Sequence, residues 1–81
     1  MSTARRLYAP QAVEVSADGR GRPQALAGIA VEAIPEDWKV EDRWWTGQPL
    51  RRHYFELALV SGANATVFCD LSNGRWYRQR V

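Results

Sequence analysis

Few residues in this 81-residue chain could carry covalent chemistry. His53 is the only histidine and Cys69 the only thiol. A Cys–His nucleophile needs the two side by side with a third group orienting the base. Both lie on neighbouring apolar runs, but the register favoured below sets Cys69 opposite Glu56, far along from His53. Glu36-Asp37 and Glu41-Asp42 are carboxylate pairs, yet adjacent strand residues point to opposite faces and do not converge on a cation. The glycines of DGRGRP show no phosphate-loop spacing. A single cysteine allows no intrachain disulfide, and no Cys/His cluster has zinc-ligand spacing. The expectation is a non-enzyme with no metal and no cofactor. What remains is aromatic and cationic: Trp38, Trp44, Trp45 and Trp76, three tyrosines, two phenylalanines, and ten arginines against one lysine. Arginine forks onto phosphate and stacks on rings, although coding bias alone also favours it.

The stretch from His53 to Tyr77 must position these groups. It reads HYFELALV, SGAN, ATVFCDL, SNG, RWY: apolar runs rich in aromatic and β-branched residues, separated by turn clusters. That is the signature of an antiparallel meander. Phe55, Leu57 and Leu59 share one face, and Tyr54, Glu56 and Ala58 the other. A four-residue SGAN loop pairs Val60 with Ala65 and sets Leu57 opposite Phe68. An odd-length loop or a bulge sets Leu57 opposite Val67 and brings Cys69 alongside Phe55, exchanging the two faces. A two-residue Asn-Gly turn at 73–74 puts Phe68 and Tyr77 on one face and Trp76, Arg78 and Arg80 on the other. The favoured inward set is Phe55, Leu57, Leu59, Phe68 and Tyr77. It gathers Tyr54, Trp76, Arg78 and Arg80 on the outer face. Single-stranded nucleic acid is held by such surfaces, with bases stacked on rings and cations along the backbone. In this reading Arg52, Arg75, Arg78 and Arg80 meet phosphates, and Tyr54 and Trp76 stack. The competing reading has Trp76 covering a sheet edge or second core, with the arginines simply solvated.

The preceding chain supplies the rest of a small β domain. Residues 1–9 read as a frayed terminus and 10–81 as one domain. QAVEVSA alternates as a half-buried strand, ADGRGRP is a turn, PQALA a short strand and GIAVEAI another. PEDW reads as a helical turn or a loop: Pro35 suits a first helical position and Asp37 a cap, but no long amphipathic run follows. WKVEDRWW alternates again and TGQP breaks it. Charge is uneven: net −3 over residues 24–47 and +3 over 48–81. A domain this small buries only about 60% of its unfolded surface, so its aromatics must anchor the core.

With those strings in view, W-K-V-E-D-R-W-W, R-R-H-Y-F-E-L, T-V-F-C-D-L and G-R-W-Y-R-Q resemble a family of short uncharacterised bacterial proteins. A similar W-W…Y-F/Y…D-L…G-R-W-Y pattern looks like the tail of Y-family polymerase-like proteins of the inducible mutagenesis cassette. The resemblance covers roughly residues 35–80, more weakly the hairpin from Glu14 to Pro23. It implies a small β domain linked to DNA damage tolerance, with no catalytic residue to carry over and no polymerase body.

The expected fold is therefore all-β, with five or six antiparallel strands in a bent sheet or open SH3-like barrel. The expected function is a non-catalytic binding module contacting single-stranded DNA or a DNA-repair protein. The alternative is a protein–protein adaptor without nucleic-acid binding, using an aromatic groove at Trp44 and Trp45 or an exposed strand edge that also permits a homo-oligomer. A third reading is a purely structural domain. The N-terminus lacks the apolar run of a signal peptide, and no stretch approaches the roughly 18 apolar residues of a membrane span. The expected compartment is the cytoplasm.

Overall fold

A computed structural model of the protein describes residues 10–42, 47 and 50–79. They form seven strands: β1 Gln11–Ala12, β2 Val15–Ala17, β3 Pro23–Leu26, β4 Ile29–Asp42, β5 Leu50–Leu59, β6 Asn64–Asp70 and β7 Arg75–Arg78. All pair antiparallel in one sheet of order β1-β7-β6-β5-β4-β3-β2, curled into an open half-barrel. The all-β expectation holds, and the count rises from five or six to seven. The extra strand comes from QAVEVSA, which does not pair as one unit. Its first part joins β7 (Gln11 opposite Arg78) and its second joins β3 (Val15 opposite Leu26). Between them, Val13 N–H donates to the Trp76 carbonyl at 3.2 Å, and the Glu14 carbonyl accepts from Ala27 N–H at 2.8 Å.

Pro35 and Asp37 open no helical turn; they lie within β4. The register shifts between Ala33 and Glu36, so Pro35 sits at a bulge, where its missing N–H costs no ladder bond. Asp18 fastens the DGRGRP turn: its Oδ1 accepts the N–H groups of Arg20 and Arg22 at 2.8 and 2.9 Å.

The β5–β6 connection decides which side chains face inward. Leu59 N–H donates to the Ala63 carbonyl at 2.9 Å, leaving a three-residue loop, Val60-Ser61-Gly62, with Gly62 at φ +94°. A three-residue hairpin needs a left-handed residue at its end, and Gly62 supplies it. Phe55 therefore stands opposite Val67, and Leu57 opposite Ala65. The loop is odd in length, so the two faces of β6 exchange as in the odd-length alternative, but the pairing lies two residues further along: Val67 meets Phe55 rather than Leu57, and Cys69 meets His53 rather than Phe55. Phe68 and Tyr77 leave the inner face, and Trp76 joins it. The β6–β7 turn spans four residues, Leu71–Gly74, rather than two. Asp70 organises it by accepting both the N–H and the hydroxyl of Ser72, at 2.9 and 2.6 Å. Two added residues leave the alternation unchanged, so Phe68 and Tyr77 share a face as read, here as direct partners.

The core fills the inner face. Leu26, Phe55, Leu57, Leu59, Ala65 and Val67 are buried, with Val13, Val15, Val31, Ile34 and Trp76 packed against them. Each fully buried Leu, Val or Phe contributes about 1.5–3 kcal/mol. Trp76 is tilted 40° against Phe55, with centroids 5.6 Å apart.

Candidate nucleic-acid interface

The outer face carries three rows of side chains running across the strands. The central row is aromatic: Trp38 of β4 opposite Tyr54 of β5, opposite Phe68 of β6, opposite Tyr77 of β7. Cross-strand partners sit about 4.5–5.5 Å apart, so one ring per strand in register becomes a continuous ladder. Trp38 and Tyr54 are parallel to within 1° at 5.4 Å. Tyr54 and Phe68 are 4.9 Å apart and tilted by 40°, and Phe68 and Tyr77 stack at 5.3 Å. Phe68 is 1% exposed although, among the described residues, no other strand is stacked over it. Its neighbours cover it: the two tyrosines flank it and the Arg52 guanidinium lies 4.3 Å above its ring.

Beside the ladder runs a charged row, Val40, Arg52, Asp70 and Arg75. Arg52 Nη1 donates to the Tyr54 hydroxyl at 3.0 Å, while its Nε is buried without a partner. The two Ser72 hydrogen bonds, chiefly, hold the Asp70 carboxyl below its ordinary range, with a smaller contribution from the Arg52 charge. Arg75 is exposed, its backbone N–H tied to Asn73 Oδ1 at 2.8 Å. On the ladder's other flank, Glu36 stands opposite Glu56 and Glu56 opposite Thr66.

The structure thus divides the residues singled out from the sequence. Arg52, Tyr54 and Arg75 lie together on the outer face. Trp76 and Arg78 lie on the inner one, opposite Cys69 and Val67. Arg78 lines a cleft of about 360 Å³ with Leu57 and Ala65. The grouping of Tyr54 with Trp76 and Arg78 is therefore corrected, because it depended on a four-residue β5–β6 loop. Arg80, Trp44 and Trp45 lie outside the described residues. Trp38 and Tyr77, not singled out from the sequence for this face, complete the ladder. The odd-length loop was the signal that could have found Tyr77.

His53 and Cys69 are also placed differently from expectation: they are direct cross-strand partners on the inner face. His53 Nε2 is 2.7 Å from Asp37 Oδ2, and the ring stacks on Phe55 at 4.1 Å. That bond holds the Asp37 carboxyl below its ordinary range. Burial, with the nearby Asp70 charge, pushes the Cys69 thiol up. The Cys69 Sγ–H is directed to the Asp70 carbonyl at 3.9 Å. A thiol with a raised pKa is a weak nucleophile near neutrality. Among the described residues, no group of three or more His, Cys, Asp or Glu could hold a metal ion. No helix there is long and apolar enough to cross a membrane.

The described residues form a small all-β half-barrel with an aromatic ladder on its outer face. Compared with protein-family models, curated proteins and solved structures, the chain matches none.

Proposed function

We propose that this protein is a non-catalytic binding module whose outer face holds single-stranded nucleic acid. The observation that carries the reading is the Trp38–Tyr54–Phe68–Tyr77 ladder on a face that no other described strand covers, with Arg52 and Arg75 in the adjoining row. Bases stack on such rings for about 1–3 kcal/mol each, without regard to sequence. Trp38, Tyr54 and Tyr77 offer ring surface, while buried Phe68 supports them. The flanking rows set the polarity of approach: phosphates lie on the Arg52–Arg75 side, away from Glu36 and Glu56. Such a ligand agrees with the resemblance to polymerase-associated tails and a role in DNA damage tolerance.

The test is anisotropy of a labelled single-stranded oligonucleotide, titrated at several salt concentrations. Affinity should fall with salt, with a log–log slope of about −0.7 per neutralised phosphate. Arg75→Glu should weaken binding and flatten that slope, whereas Arg78→Gln, on the other face, should change neither. Absence of binding at low salt, or equal effects of the two substitutions, would refute the outer-face reading. The edge of β4, which no described strand covers beyond Ala30, favours a second reading, recognition of another protein by strand addition.

A further inference from the structure

β4 is fourteen residues long, but β3 pairs only with its first two, Ile29 and Ala30. From Val31 onward it pairs with β5, and among the described residues no strand covers its other edge. The first part of that edge has the features that keep edge strands from pairing. Register shifts fall between Val31 and Ala33 and between Ala33 and Glu36, and Pro35 has no N–H. The second part, Glu36–Asp42, follows β5 residue for residue, with no bulge and no proline.

The hydrogen-bond phase of this edge follows from the neighbouring hairpin. Leu59 N–H donates to the Ala63 carbonyl, and the Arg51 carbonyl accepts from Leu71 N–H. Odd-numbered residues of β5 therefore face β6 and even-numbered ones face β4. The bond from Val60 N–H to the Ala30 carbonyl agrees. Trp38, opposite Tyr54, directs its N–H and C=O toward β5. Asp37, Lys39 and Glu41 direct theirs to the open edge.

We propose that this edge pairs antiparallel with the same edge of a second copy of this chain, with Trp38 on the two-fold axis. In that register Asp37 stands opposite Lys39 of the second copy, and Lys39 opposite Asp37, on the inner side of the edge. Those two pairs also exchange outward N–H and C=O groups. Glu41 N–H meets the Pro35 carbonyl, and Pro35 has no N–H to leave unpaired. The two Trp38 rings meet at a non-hydrogen-bonded position, where facing side chains come closest. Trp38 is 39% exposed, the end of a ladder whose other rings are flanked on both sides or by β1. Pairing there makes two four-ring ladders into one.

Other two-fold registers are poorer. Lys39 on the axis opposes Lys39 to itself, Asp37 to Glu41 and Glu36 to Asp42. Asp37 on the axis opposes two aspartates. Val40 on the axis pairs Lys39 with Glu41 but sets the Trp38 ring against Asp42. Charge and ring complementarity together select Trp38.

This pairing goes beyond nucleic-acid binding and is tested without any nucleic acid. The first measurement is the solution mass of the full chain by sedimentation over a wide concentration range. The mass should rise with concentration from 9.2 kDa to about twice that. Lys39→Pro removes an outward N–H and no bond to β5, so it should remain folded by circular dichroism and stay monomeric. The register is read separately, in a Cys69→Ser background. Trp38→Cys places two Cα atoms about 4.5 Å apart across the axis, within the roughly 4.4–6.8 Å of a disulfide. Oxidation should cross-link it into dimers, whereas Val40→Cys should not cross-link. A chain that stays monomeric into the high micromolar range, a Lys39→Pro variant that still dimerises, or cross-linking at Val40 in place of Trp38 would overturn the proposal.

Discussion

Replacing Val67 with threonine tests the β5–β6 register with almost no change of shape. Val67 is 0% exposed, opposite Phe55 on one side and Arg78 on the other, within the apolar inner face. Threonine exchanges one methyl for a hydroxyl. Both backbone neighbours of this position are engaged in the sheet, so a buried hydroxyl here lacks a good partner, at a cost of about 1–3 kcal/mol. With a urea slope of about 1 kcal/mol per molar for a domain this small, the midpoint should fall by roughly 1–3 M at unchanged slope. The companion change, Thr66→Val on the outer face, should stay within about 0.5 kcal/mol of the parent. Equilibrium urea unfolding followed by tryptophan fluorescence reads both. With a four-residue loop the faces exchange, Val67 points outward and Thr66 inward, and the two results swap. A Val67→Thr loss below about 0.5 kcal/mol would therefore refute the three-residue loop and, with it, the aromatic ladder.

Gly62→Ala places a side chain at φ +94° in that loop. A Cβ there meets no neighbouring atom, so the cost is backbone strain alone, on the order of 1–2 kcal/mol in the same unfolding assay. For Asp37, the His53 bond lowers the folded-state carboxyl pKa. Its contribution is present above the unfolded carboxylate pKa of about 3.9 and is lost as pH falls through the lower folded value. Asp37→Asn should thus flatten the acid limb of the stability profile below about pH 4, leaving the slope near pH 8 unchanged. Oxidised Trp38→Cys and the salt response of Arg75→Glu test the two surfaces independently of each other.

The alternation in HYFELALV and ATVFCDL carried the fold class, because period 2 with aromatic and β-branched residues has little other use. DGRGRP likewise marks its turn through Asp18 and its glycines. Register was less legible. SGAN contains a glycine that can end a three-residue loop or sit inside a four-residue one, and no local rule separates them. Choosing between them slides the strands by three positions, which decides whether Leu57 meets Phe68 or Ala65 and whether Cys69 faces Glu56 or His53. Pro35 misled for a different reason: a proline followed by acidic residues suits a helix start as well as a bulge in an edge strand. Only the long pairing with β5 chooses between them. Trp38 looked like core because tryptophan usually is, and its place on the outer face follows from the bulge that precedes it.

The split of the first strand between opposite ends of the sheet bears on how the chain acquires its shape. Gln11 meets Arg78, so the two ends of the sheet stay apart until β7 exists. On a ribosome, Val15–Ala17 can pair as soon as β3 emerges, but the Gln11–Val13 segment waits through synthesis of nearly every other element. Its contacts span most of the sequence, which predicts slow, all-or-none closure late in folding. Until then β7 presents a bare edge. The few residues from Gln11 to Ala17 cover β7 on one side and β3 on the other, and deleting them should raise aggregation, read by light scattering.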